Sequence, residues 1–217
     1  MVRDGSEKAA WILSHPKKHG KTAVKKRGGD YNMSNVFTKT RVVPLRELID
    51  ALSPERLSEI MSTFSCKKDG DVESFLKEKA IVQEKKNVSR TYLIFSINPT
   101  ELMAYFTVAI SNMDVSDLRC SKNIEQKMNI NKGSAQCYLL GQLGKCDEAP
   151  KGIGKFAMDQ AMDRIIAANL NVGCRLLRVD CKDALMNYYL ENGFTIARRN
   201  KDDDLLQMIR IIGVLSP

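Results

Sequence analysis

The chain has 217 residues, 43% of them hydrophobic and 28% charged, which suits one sizeable α/β domain, or a domain with an appendage, folding on its own core. Its net charge of +8 favours acidic partners, but residues 1–30 carry eight Lys/Arg against three acids, so the other 187 residues net only +3 and bulk charge argues for nucleic acid mainly through the tail. Six cysteines without a Cys-x-x-Cys pair point to a reducing, cytoplasmic compartment, and the early apolar stretch 9–13 is too short for a signal sequence or a membrane span, so no membrane association is expected.

Residues 1–35, rich in Lys, Gly and Ser and without periodicity, read as a flexible basic extension, leaving 36–217 as the folded domain. Order is expected from a short strand at 41–44, followed by helices at 45–52 and 54–64, with Ser53 as N-cap and Pro54 in the first helical position. A turn at 67–70 leads into an amphipathic helix over 71–85, with Val72, Phe75, Leu76 and Ala80 on one side. The pattern then changes to period two. Strands are predicted at 91–97 and 102–111, joined around Asn98-Pro99-Thr100, and 114–128 is a polar connection with some helix. A strong strand over 136–144, a helix to about 170, a strand at 175–181, a helix at 183–191 and strands at 194–199 and 205–212 complete a mixed α/β sheet with helices on both faces.

Between the strand at 136–144 and the following helix lies Lys151-Gly152-Ile153-Gly154-Lys155. A strand that feeds a glycine turn into a helix N-terminus makes a phosphate cradle, because glycine lets the backbone approach closely and the helix dipole favours an anion. The competing explanation is a turn that merely links two elements. Other candidates fail. His15 and His19 are separated by a proline in a lysine-rich flank, Gly20-Lys21-Thr22 lacks the earlier glycine and strand of a phosphate loop, and Asp202-Asp203-Asp204 fits a solvated hairpin tip, so no metal is expected.

Gln142-Leu143-Gly144, the turn at 151–155, the strand Leu176-Leu177-Arg178-Val179-Asp180 and the run Asn187-Tyr188-Tyr189-Leu190-Glu191-Asn192-Gly193-Phe194 together resemble the GNAT acetyltransferase family, over about residues 60–212. Two family patterns carry the resemblance. Arg/Gln-x-x-Gly-x-Gly/Ala corresponds to Ala149 through Gly154, with Ala149 departing from it, and Phe-Tyr-x-x-x-Gly-Phe corresponds to Tyr188 through Phe194. The resemblance implies the GNAT fold, with a mixed, mostly antiparallel central sheet and helices on both faces, and acetyl-CoA as cosubstrate. The N–H groups of Gly152, Ile153, Gly154 and Lys155 would then hold the pyrophosphate, with Lys151 and Lys155 adding charge. The pantetheine arm would pair with the backbone of Leu143, Gly144 and Lys145, splayed from the next strand.

Direct acetyl transfer needs an uncharged amine and a proton donor for the departing thiolate. A phenol can be that donor, and in this family the tyrosine four residues before the Gly-Phe glycine fills the role, which here is Tyr189; adjacent Tyr188 is the alternative. Gly193 is expected to end the helix in a left-handed conformation. Glu101, Asp147, Glu148 and a water relay are the alternatives for the general base, and spacing does not choose among them. Within the family, Phe64-Ser65-Cys66, Glu73-Ser74-Phe75-Leu76-Lys77, Ser89-Arg90-Thr91-Tyr92 and Ala104-Tyr105-Phe106-Thr107 resemble the toxins that acetylate aminoacyl-tRNA and are neutralised by a protein antitoxin. Where that branch has a glycine after the cysteine, this chain has Lys67. The alternatives are a housekeeping enzyme acting on a small amine or a protein amine, and a non-catalytic acyl-CoA-binding module; edge strands of this fold pair into homodimers.

Overall fold

The computed structural model describes residues 40–115, 118, 122–128, 130–200 and 202–213, so the predicted extension 1–35, with His15, His19 and Lys21, lies outside the described residues. The strands form one mostly antiparallel sheet in the order β1-β2-β3-β5-β6-β8-β7, with the two-residue β4 (Ile130–Asn131) paired to β5. The described residues divide into two compact units, one holding those up to Tyr105 together with Gly144–Ala157 and the other Phe106–Leu143 together with those from Met158 onward.

The first unit opens with β1 (Thr40–Pro44), antiparallel to β2 (Arg90–Ser96) from Thr40↔Ser96 to Pro44↔Tyr92. Helix α1 (Leu45–Ala51) follows at once and buries Leu45, Leu48 and Ala51, the i, i+3, i+6 face of its two turns. Ser53 then caps α2 (Pro54–Ser62), its hydroxyl accepting from the Arg56 N–H at 3.3 Å with Pro54 at the first helical position, as its sequence predicts. The single amphipathic helix predicted at 71–85 is interrupted. It runs as α3 (Gly70–Ser74), a π turn over Phe75–Lys79 in which the Ala80 N–H reaches the Phe75 carbonyl, and α4 (Ala80–Lys85). Leu57, Met61, Phe64, Leu76, Ala80, Leu93, Phe95 and Tyr105 close the core of this unit. Each large side chain so buried contributes about 1.5–3 kcal/mol.

Glu84, 2% exposed, ties α4 to β2: its carboxylate accepts from Arg90 Nη1 at 2.9 Å and from the Thr91 N–H at 2.8 Å. Gly144 belongs to this unit because nothing larger fits. A Cβ there would lie 2.3 Å from Val72 Cγ1 and 3.2–3.3 Å from the rings of Tyr105 and Phe64.

In the second unit, which includes the one-turn α5 (Lys122–Glu125), Met113, Met128, Ala135, Cys137, Leu176, Ala197 and Ile209 form the core. β4 turns into β5 (Ser134–Lys145) through Lys132 and Gly133, both with positive φ (49° and 78°). That hairpin is absent from the sequence prediction, which assigns nothing to 129–135 and begins the strand at 136. β6 (Leu176–Cys181) pairs along its whole length with β8 (Leu206–Ile211), which also pairs with β7 (Thr195–Arg199). The acidic run at 202–204 is the β7–β8 hairpin tip, where the Asp203 carboxylate accepts from the Leu205 N–H at 3.1 Å and Arg199 reaches Asp204 at 3.2 Å. β3 (Leu102–Asp114) and α6 (Ile153–Asn171) contribute residues to both units. On α6, Ile153, Ala157, Ala161 and Ile165 recur every fourth residue and are buried.

Candidate active site

The parallel pair β5–β6 is the shortest of the long-strand pairings described. It holds register only from Cys137↔Leu176 to Leu139↔Arg178, whereas β5 continues to Lys145 and β6 to Cys181. Past Arg178, β6 stays paired with β8 through Cys181↔Leu206. On its β6 side, β5 therefore offers unpaired backbone from Leu140 onward, an edge on which an extended chain with amide groups can complete the ladder. The family resemblance implies this role for Leu143, Gly144 and Lys145. Register places Leu140, Gly141 and Gln142 on the same edge, an extension invisible in a local pattern because it depends on where β6 leaves.

Six residues after β5 the chain turns into α6. Gly152 takes φ 96°, a conformation costly for any side chain, and its carbonyl accepts the first helical bond from the Phe156 N–H at 3.0 Å. Gly154 stands differently: its φ is not positive, and an added Cβ would meet no atom within 4 Å. Neither backbone conformation nor packing within the protein requires glycine at 154, although glycine weakens a helix by about 0.8–1.0 kcal/mol relative to alanine. A close-lying ligand would require it. Lys151 and Lys155 are exposed on either side, and Ile153 is fully buried as the anchor of the helix start. The nineteen residues of α6 supply the dipole.

Tyr189 owes its position to how its helix ends. In α7 (Met186–Glu191), preceded by a 3₁₀ turn over Asp183–Leu185, Gly193 has φ 80° and donates its N–H to the Leu190 carbonyl at 2.9 Å, while the Phe194 N–H reaches the Tyr189 carbonyl at 3.1 Å. This pair of bonds is a Schellman motif, and its accompanying apolar contact is the Tyr189–Phe194 ring pair, edge to face with centroids 5.5 Å apart. The Tyr-x-x-x-Gly-Phe spacing is thus a helix stop that clamps the tyrosine. Tyr189 is 4% exposed, and its ring also meets Tyr188 edge to face at 5.2 Å. Tyr188 is half-buried; burial, with Asp159 adding to it, pushes its phenol up to about 12. Gly144, Lys145 and the turn at 151–155 belong to the first unit, Leu143 and Tyr189 to the second.

Of the three carboxylates open as general base, Glu101 and Glu148 are exposed. Asp147 is held below the usual carboxylate range by the Lys67 N–H and then the Ser65 hydroxyl, so it is a poor proton acceptor. Among the described residues no cluster of His, Cys, Asp or Glu is arranged to hold a metal, and no helix is long and apolar enough to cross a membrane.

No family sequence model and no curated protein matches the chain by sequence. Solved structures do match in fold. A tyrosine-to-phenylalanine mutant of KacT superposes with a TM-score of 0.62 at 20% identity, over 78% of this chain and 94% of that one. AtaT complexed with acetyl-methionyl-tRNAfMet matches with a TM-score of 0.62 at 20% identity, over 77% and 93% of the two chains. A tyrosine-to-phenylalanine mutant of the AtaT toxin, bound to the C-terminus of the antitoxin AtaR and acetyl-CoA, matches with a TM-score of 0.56 at 15% identity, over 80% and 93%. With its sheet order and the parting of β5 from β6, the chain has the GNAT fold of these proteins.

Proposed function

We propose that the chain is an acetyl-CoA-dependent N-acetyltransferase that transfers the acetyl group directly to a primary amine, and that this amine is the amino group of an aminoacyl-tRNA. The observation that carries the acyltransferase reading is the unpaired edge of β5 from Leu140 onward, followed by a glycine-turned helix start in which neither φ nor space for a Cβ requires glycine at 154. An edge of free amides suits the two amides of pantetheine, and Gly152 through Lys155 suit the pyrophosphate.

Bound acetyl-CoA supplies an acetyl group activated as a thioester. The backbone of Leu143, Gly144 and Lys145 orients the arm, and Lys151 and Lys155 add charge beside the phosphates. The neutral amine forms the new C–N bond as the C–S bond breaks. Tyr189 donates its phenolic proton to the leaving sulfur, the acylated nitrogen loses its surplus proton to solvent, and the Tyr189 phenolate takes a proton back from solvent.

The tRNA assignment is supported by the fold shared with AtaT, whose structure holds an acetylated methionyl-tRNA, and by the exposed lysines 67, 68, 77, 79, 85 and 86 of the first unit. The same likeness supports a protein antitoxin as partner. The near-neutral charge of residues 31–217 favours the second reading, a small or peptide amine. Thiol release from acetyl-CoA, measured against charged tRNA, polyamines and peptides, separates them: charged tRNA is expected to be modified, and its consistent absence from the products would sink the tRNA assignment.

A further inference from the structure

The segment that leads from β5 into the glycine turn is tied to a distant loop by a carboxylate that the chemistry above leaves unused. Asp147 accepts from the Ser65 hydroxyl at 2.9 Å and from the Lys67 N–H at 3.2 Å on each oxygen, and its own N–H donates to the Ser65 carbonyl at 2.9 Å. The same loop is held from its other side. The Cys66 N–H donates to Glu73 Oε2 at 2.7 Å, and Lys77 Nζ meets Glu73 Oε1 at 2.6 Å. Both carboxylates lie below their ordinary range, each through a backbone N–H first and a side-chain donor second.

Downstream of Asp147 there is little slack. The Ala149 N–H closes a turn on the Cys146 carbonyl at 3.1 Å, and the Ile153 N–H closes another on Pro150 at 3.3 Å, where α6 begins. Upstream, Cys146 is pinned to β3 by its N–H on the Met103 carbonyl at 2.7 Å and its Sγ 3.0 Å from the Leu102 carbonyl. The segment 147–152 is therefore a short strap with three fastenings: β3, the start of α6, and the loop at 65–67. The first is the contact of Cys146 with Leu102 and Met103, and the second is ordinary chain continuity. The third joins segments 80 residues apart and is made almost wholly by one side chain.

The geometry points to Asp147 as a positioning residue that couples the glycine turn to the loop at 65–68, so that acetyl-CoA binding and ordering of that loop are one event. This rests on the acetyl-CoA reading of the turn. A ligand that fixes residues 152–155 stiffens a strap that Asp147 ties to the loop, and by linkage the factor by which acetyl-CoA suppresses opening of the loop equals the factor by which the closed loop tightens acetyl-CoA. Lys67 and Lys68 stand exposed on that loop, so the cofactor-bound protein presents them in a fixed place before the acceptor arrives.

The test uses the full chain with acetyl-CoA as probe, following amide hydrogen exchange at 66–69 alongside calorimetric affinity. In the wild type, acetyl-CoA is expected to slow exchange there about fivefold or more. Asp147→Asn is expected to bring that ratio close to one and to weaken acetyl-CoA binding by the same factor. Ser65→Ala, which spares the Lys67 bonds, is expected to move both in the same direction by less, and it carries the test if Asp147→Asn does not fold. A merely structural clip would raise exchange in the free and bound states alike and leave their ratio intact, overturning the coupling. Wild-type binding without any change at 66–69 also overturns it while leaving the acetyltransferase reading standing. Failure of the wild type to bind acetyl-CoA overturns both.

Discussion

Tyr189→Phe removes one oxygen and keeps the ring that packs on Phe194, so the helix stop should survive. Turnover is expected to fall about 100-fold or more, the scale of a lost general acid, while acetyl-CoA affinity measured by calorimetry stays the same. Tyr188→Phe should cost far less; a larger loss there would move the proton donor to the neighbouring phenol. Gly154→Ala separates fold from binding in the opposite sense. With no atom within 4 Å of the added Cβ, thermal stability should hold or rise by about 0.5–1 kcal/mol, yet acetyl-CoA affinity should drop. The helix stop that holds Tyr189 was legible in the sequence because it is local: a Schellman motif needs only the spacing Tyr-x-x-x-Gly-Phe. Asp147 was legible only as a nearby acid. Its partners Ser65 and Lys67 lie some 80 residues away, and no local pattern announces them.

At the scale of elements, most of the strands and helices follow from their own residues. Ser53-Pro54 starts α2, the apolar and aromatic run Tyr92-Leu93-Ile94-Phe95 marks β2, and Gly193 ends α7. Three features did not follow. The π turn at Phe75–Lys79 adds one residue to a helix whose apolar spacing reads as continuous, β4 is too short to show a period, and the parting of β5 from β6 is set by the competing pairing of β6 with β8. The Glu84 clip between α4 and β2 predicts its own sensitivity. Glu84→Ala strands the Thr91 N–H, while Arg90, 41% exposed, keeps Asn87 Oδ1 and the residue-84 carbonyl as acceptors, so the loss should be that of one buried donor left unsatisfied, about 1–3 kcal/mol by denaturant titration. Acid should act elsewhere. Asp147 and Glu73 have folded values below their unfolded ones, so their contribution is complete above the ordinary carboxylate range, near pH 4, and disappears as pH falls through the lowered folded values. The melting-temperature gap between wild type and Asp147→Asn should accordingly close as pH is taken down through that window; a gap that persists in acid would contradict the role of the charge.

For the whole molecule, charge and chemistry are unevenly divided along the chain. The first 30 residues hold a net +5, whereas the β5 edge, the glycine turn and Tyr189 all lie beyond residue 130. Deleting residues 1–35 should therefore leave acetyl-CoA turnover on a small amine within about twofold and weaken use of charged tRNA, with a shallower dependence on salt. Equal losses on both substrates would instead place the tail in the folding of the enzyme. The fold shared with AtaT and KacT reaches across most of the chain, but at about 20% identity it does not choose the acceptor. The acceptor is chosen by reaction. Full-length protein should transfer radiolabelled acetyl from acetyl-CoA to the amino group of charged tRNA, releasing one thiol per acetyl, with the label lost when Tyr189 is phenylalanine; labelling of polyamines or peptides with none on charged tRNA would contradict the tRNA reading, and no thiol release with any amine would contradict the enzyme.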